Sequence, residues 1–239
     1  MKHYIYISLL FICISTNAQV NVRTKIKDVD STFLPKLTGD FFYEGKMYIG
    51  EQYYNKDWMT GDILLSTGAT VYDKSLKYNG LFDELIWLNE TNFGKFKIDK
   101  PFVSEFWLKN NPYSTIHFKQ INLSEPGNIK RQDIFAELRV EGNLSLFIQR
   151  EISITGTQFN YVDNALCQYD VITATPIYYI KLPSNQYLML TKLRRRAFLK
   201  LFPEKKKRIA KIIRTNDLDV SVESDFVKLI ELMNNDKTL

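Results

Sequence analysis

The sequence predicts a β-rich α+β fold: an antiparallel sandwich or partly open barrel of roughly eight to ten strands, followed by two or three C-terminal helices. Three observations carry that expectation. Turn signals recur about every eight to twelve residues between 60 and 190, and the stretches between them alternate apolar with polar residues. After Thr191 the apolar period lengthens to that of a helix. A chain that is 45% hydrophobic, with 16 Phe and 14 Tyr in 239 residues, can bury a substantial core and does not belong to the disordered class.

The first element is an export signal. Residues 1–18, MKHYIYISLLFICISTNA, combine Lys2, an apolar run from Tyr4 to Ile14 and small residues Thr16 and Ala18 at cleavage-site positions. The run is short for a membrane helix, and no later segment reaches the ~20 apolar residues such a helix needs. The expectation is an exported chain beginning at Gln19, in the periplasm, associated with the outer membrane or outside the cell, with no transmembrane segment. Cys13 leaves with the signal, so Cys167 stands alone and no internal disulfide can staple the fold. A buried thiol is its simplest use.

Residues 19–191 read as the antiparallel β domain. Asn79-Gly80 joins "TVYDKSLKY" to "LFDELIWL", where the pair would supply the positive φ angles of a tight hairpin. Thr67-Gly68, Asn92 to Gly94 and Asn110 to Pro112 mark further reversals. Gly142-Asn143 joins two strands, the first with Ile134, Ala136, Leu138 and Val140 on one face and the second with Leu144, Leu146 and Ile148 on one face. Pro183 to Asn185 separates "IYYIKL" from "QYLMLT". Residues 156–176 fit the alternation poorly and are expected to form a long loop over a sheet face.

Residues 192–239 read as a basic helical subdomain packed on the β domain. Pro203 is placed at the first position of a helix, Asn216 as its left-handed stop, and a last helix near 222–234 aligns Phe226, Ile230 and Met233. Residues 192–214 hold eleven Lys or Arg against one acid, Glu204. A helix from Pro203 turns Ile209, Ile212 and Ile213 inward and Lys207, Arg208, Lys211 and Arg214 outward. Arg194, Arg195 and Arg196 are consecutive and should splay around their axis rather than share a face. The outward ridge is either a solvated helix face or a contact for an anionic surface, and Lys207, Arg208, Lys211 and Arg214 are the candidate binding residues. Nucleic acid is disfavoured, because the chain is exported and no aromatic-rich RNA-binding signature or DNA-binding helix pair accompanies the ridge.

Catalytic and metal motifs are sparse. His117, the one histidine beyond the signal, alternates with Ile116 and Phe118 and should face water. No Gly-x-Ser-x-Gly elbow supplies a nucleophile for it. One His and one Cys do not make a zinc set, so no metal is expected. None of the ten glycines lies two positions from another, so no dinucleotide fingerprint is present and no cofactor is expected. Two carboxylates at suitable separation could still hydrolyse a glycoside; Asp83-Glu84 is the visible pair, but neighbours on a strand point to opposite faces, so turn and edge roles fit better. The aromatic segment "FFYEGKMYIGEQYYNKDW" suits strand packing more than a sugar platform.

Three stretches, "GEQYYNKDWMTGDI" at 50–63, "LKYNGLFDEL" at 76–85 and "YYIKLPSNQYLMLTKLRRRAFLKLFPEKKKRIAKII" at 178–213, resemble in order a group of uncharacterised exported Bacteroidetes proteins. The proline usual after the opening glycine of that group is replaced here by Glu51 and Gln52. The resemblance implies an envelope location and a β-rich body, and brings no active site with it. The favoured expectation is therefore a non-enzymatic envelope scaffold that binds a partner protein, a glycan or an anionic lipid surface. The alternatives are an envelope polysaccharide hydrolase working through two carboxylates, and a lipid or hydrophobe carrier.

Overall fold

A computed structural model describes residues 36–236 apart from 112–113, 124–132 and 164. The expected export signal, residues 1–18, and Pro112 lie outside the described residues. The chain first forms β1 (Gly39–Phe41), β2 (Tyr48–Ile49), β3 (Met59–Leu65), β4 (Thr70–Asn79), β5 (Glu84–Asn89) and β6 (Gly94–Ile98). After one 3-10 turn come β7 (Val103–Asn111), β8 (Ser114–Asn122), β9 (Asp133–Val140) and β10 (Ser145–Gln149). A long hairpin, β11 (Ile152–Val162) and β12 (Ala165–Ala174), precedes β13 (Ile177–Lys181) and β14 (Tyr187–Leu190). Helices α1 (Arg195–Leu201), α2 (Lys206–Thr215) and α3 (Glu223–Asn235) complete the order.

Eleven strands make one antiparallel sheet in the order β1-β6-β5-β4-β3-β7-β8-β9-β10-β13-β14. The β-rich antiparallel class with C-terminal helices is thus the one the turns predicted, with fourteen strands among the described residues rather than eight to ten. The sheet curls without closing. β4 and β9 lie four places apart in it, yet Tyr78 of β4 packs with Phe106, Phe118 and Phe135 at ring separations of 4.9 to 6.4 Å. Asp83, in the turn after β4, holds the curl: it accepts the Phe135 N–H at 3.2 Å and the Tyr78 hydroxyl at 2.8 Å, and pairs with Lys100 at 2.6 Å. An aspartate reaches that geometry because its φ of 54° is a left-handed conformation this side chain tolerates. Ile63, Leu76, Phe106 and Phe118 fill the inside of the curl.

Several local expectations change. Residues 156–176 form most of the β11–β12 hairpin and not a loop, with β2 added in parallel to β12. Most of that hairpin is exposed on both faces, so it lacks the buried face that alternation reports. Cys167 sits on this hairpin, partly exposed and not buried. Gly80 does not adopt positive φ; it is glycine because a Cβ there would stand 2.3 Å from the Arg150 carbonyl. Val140 leaves the face of Ile134 and Ala136 because a bulge between Leu138 and Val140 reverses its side. Pro203 lies in the turn before α2, which starts at Lys206, and Asp217 rather than Asn216 takes the left-handed angle after it.

The helices pack on the sheet end made by β9, β10, β13 and β14. Phe198, Ile209, Ile213, Phe226, Leu229, Ile230 and Met233 meet Leu146, Ile148, Tyr178, Ile180 and Leu190 in one cluster. Ile212 is only half-buried beside it. Glu223 and Asp225 occupy the first turn of α3, where carboxylates favour the helix dipole. Phe226 is fully buried, with its ring edge-on to Tyr178 and Phe198. Replacing Phe226 by Asp should lower unfolding free energy by about 3 kcal/mol or more in a urea titration, since it removes a large buried ring and strands a charge.

Candidate functional site on the helical cap

The cap is amphipathic because its apolar residues recur at three- and four-residue steps while the basic ones occupy the rest of the turn. Ile209 and Ile213, one turn apart in α2, are buried, and this sets Lys207, Lys211 and Arg214 toward solvent. None of these three has a carboxylate partner among the described residues. Arg208 differs. It clamps Asp236, beyond the end of α3, through two hydrogen bonds, with Nε 2.6 Å from Oδ2, so its charge ties α2 to the α3 terminus. Of the four candidate residues, three remain available to a ligand and the fourth is a structural tie.

A groove of about 620 Å³ runs past Lys207, Arg208, Lys211, Ile212, Thr215 and Asp236. A second concavity, about 420 Å³, lies between α1 and α2 and is lined by Arg195, Arg196, Leu199, Lys200 and Lys206. Two of the consecutive arginines therefore do converge, because α2 folds back to complete a wall that α1 alone cannot present. The missing signal was the spacing between helices, which a single helical wheel does not contain. A third cavity, about 570 Å³, is mainly apolar and opens where α1 and α3 end against the β9–β10 and β13–β14 turns.

Beneath the cap lies an ion network that sequence reasoning did not find. Arg150, following β10, bonds Glu137 of β9 through Nε at 2.6 Å and Glu223 of α3 through both terminal nitrogens at 2.8 Å. Arg139 adds a bond to Glu137 at 2.8 Å, and the Tyr178 hydroxyl donates to Glu223 at 3.3 Å. Glu137 is almost completely buried, which such a charge tolerates only when paired. Burial alone would raise the Glu223 carboxyl, but the Arg150 guanidinium bonded to it holds it below its ordinary value. Burial, with the Glu223 charge adding to it, pushes Tyr178 up to about 12. Arg150 occupies the space between the two carboxylates, so they form a structural tie from sheet to helix and not an open acid/base pair.

His117 faces away from the core, as its alternation with Phe118 implied. It stacks on Trp107 with centroids 4.7 Å apart, and its Nε2 lies 2.6 Å from Glu105. Lys119 joins Glu105 to Glu141 in the same ladder. The β7–β8 register aligns these groups, and sequence alternation alone does not supply that register. Asp83 takes the expected turn role, whereas Glu84 opens β5, an inner strand and not a sheet edge, where it pairs with Lys97.

No protein-family model, curated protein or solved structure matches this chain. Among the described residues no group of three or more His, Cys, Asp or Glu is placed to hold a metal, and no helix is long and apolar enough to cross a membrane.

The Glu223 tie makes stability depend on pH. Because the folded carboxyl titrates below its unfolded value near 4.5, its contribution is complete above that value and is lost as pH falls through the lower folded one. Glu223→Gln should cost about 1–3 kcal/mol at pH 7. The gap between variant and wild type should narrow below about pH 4 in denaturation curves, and a gap independent of pH would show that the carboxylate charge is not what matters.

Proposed function

We propose that this chain is an exported, non-enzymatic envelope scaffold that attaches to an anionic lipid surface through its C-terminal helical cap. The supporting observation is the set of exposed cations, Lys207, Lys211 and Arg214 on one side and Arg195, Arg196, Lys200 and Lys206 on the other, with no carboxylate partners among the described residues. Cations left unpaired on a firmly packed element keep their field for an external anion, whereas paired ones have spent it on the fold. Arg208 makes the contrast, since it alone of the predicted ridge is given to a structural pair. Each cation near an anionic membrane contributes on the order of 1 kcal/mol, and the sum is screened within about 10 Å at 0.1 M salt.

The protein starting at Gln19 should sediment with phosphatidylglycerol-containing vesicles at low salt and be released as salt rises, and should ignore purely zwitterionic vesicles. Lys207→Glu, Lys211→Glu and Arg214→Glu together should weaken that binding by well over tenfold with an unchanged melting temperature. Arg208 is left intact so that the Asp236 tie survives. Wild-type protein that ignores anionic vesicles at low salt would make the ridge a solvated helix face and nothing more.

A further inference from the structure

The apolar cavity at the end of the cap differs from the rest of the molecule. At the centre of the cap Phe198, Ile209, Phe226 and Ile230 are fully buried, while single apolar residues such as Ile212 and Val222 stay partly or largely exposed at its margins. Here Leu144, Leu188, Leu201 and Phe202 stay only partly covered and, with Leu182 and Met233, form the apolar part of an open cavity of about 570 Å³ whose rim includes Ser184, Lys205 and Asp236. The volume is in the range of small-molecule sites, and its lining is mainly apolar.

The walls are fixed. Asn234 of α3 clasps the backbone of Leu144, accepting its N–H at 2.7 Å and donating to its carbonyl at 2.9 Å, so the β9–β10 turn cannot fold inward to close the space. Gly142 is required beside that clasp, since a Cβ there would lie 2.7 Å from the Asn234 amide. The opposite wall, the β13–β14 turn, is held by the Leu182 N–H on the Gln186 carbonyl at 2.8 Å and the Asn185 N–H on the Leu182 carbonyl at 2.9 Å. Two turns and two helix ends thus frame a preformed apolar slot.

Its polar side is equally specific. Asp236 lines both this slot and the basic groove of Lys207, Arg208 and Lys211, so the two concavities adjoin at the Arg208–Asp236 pair. A molecule with its apolar part in the slot would bring its other end out beside two cations that lack carboxylate partners. We propose that the slot and groove together bind one anionic membrane lipid, an acyl chain lying among Leu144, Leu188, Leu201, Phe202 and Met233 and the phosphate-bearing head against Lys207 and Lys211. The head-group half rests on the surface-binding reading above; the acyl-chain half does not.

Palmitoyl-lysophosphatidylglycerol, titrated below its micelle concentration into the protein starting at Gln19, should bind saturably at one site. The zwitterionic choline analogue should bind at least fivefold more weakly, and inorganic phosphate alone should give no saturable binding. Leu188→Trp, which fills the slot, should weaken both lysolipids at least tenfold, while Lys207→Glu with Lys211→Glu should weaken only the anionic one. A diazirine-tailed lysophosphatidylglycerol photolysed on wild-type protein should label the peptides carrying Leu201–Phe202 or Met233, a readout that needs no variant to fold. Label confined to other peptides, equal binding by inorganic phosphate, or unaltered affinity in Leu188→Trp would each overturn the proposal. If lysolipid binds saturably while wild type ignores anionic vesicles, the slot stands and the surface-attachment reading falls; vesicle binding without saturable lysolipid binding is the reverse.

Discussion

The structure depends on the apolar seam between the helical cap and the β9–β10–β13–β14 end of the sheet. Phe198, Ile209, Phe226, Leu229 and Ile230 are withdrawn from water against Leu146, Ile148 and Ile180. Each such side chain contributes about 1.5–3 kcal/mol when fully buried. Helices of seven, ten and thirteen residues are too short to persist alone in water, so their existence follows from this contact and not from propensity. The orientation of the seam also decides the chemistry outside. Once Ile209 and Ile213 turn into this cluster, with Ala210 and Ile212 partly covered beside them, the remaining positions of α2 point to solvent, and most of them are Lys or Arg.

Two polar ties refine what the seam begins. Arg150 draws Glu137 and Glu223 together across the sheet–helix boundary, so α3 has one rotational setting on the sheet. A network of this kind adds less net stability than its short distances suggest, because three charges are desolvated to make it. Its contribution is to specify geometry: any slip of α3 leaves a buried charge unpaired. Asp83 does the corresponding work at the other end, where its bonds to Phe135 and Tyr78 hold the β4–β5 turn against β9 and keep the sheet curled. The interior of that curl is filled, and the cap carries concave surfaces where a ligand has room.

The fold class was readable because its signals are local. Hairpin turns at Thr67-Gly68, Gly142-Asn143 and Pro183 to Asn185 fall where the strands reverse, and Phe226, Ile230 and Met233 form the buried stripe of α3 as their spacing required. Features set by long-range contact were not readable. Most of the β11–β12 hairpin is exposed on both faces, with Ile152 and Ile172 buried near its base, and so it carries little alternation to detect. The glycine at 80 answers to the Arg150 carbonyl seventy positions away in sequence, and only the folded chain shows that. The basic ridge was legible as a ridge, yet the removal of Arg208 by Asp236 and the joining of Arg195 and Arg196 to Lys206 need the α1–α2–α3 packing. Glu137, Arg150 and Glu223 lie on three separate elements, and no spacing in the sequence links them.

Amide hydrogen exchange on the native protein tests the seam most directly. If the cap is an integral part of the cooperative unit, the amides of Ile209, Ile213 and Phe226 to Met233 exchange only through global unfolding, with protection equal to that of Leu146 to Ile148 and Tyr178 to Ile180. Cap amides that exchange orders of magnitude faster than a sheet that stays protected would show the helices opening on their own, and would contradict the docking on which the outward basic face and the cavity beside it both depend.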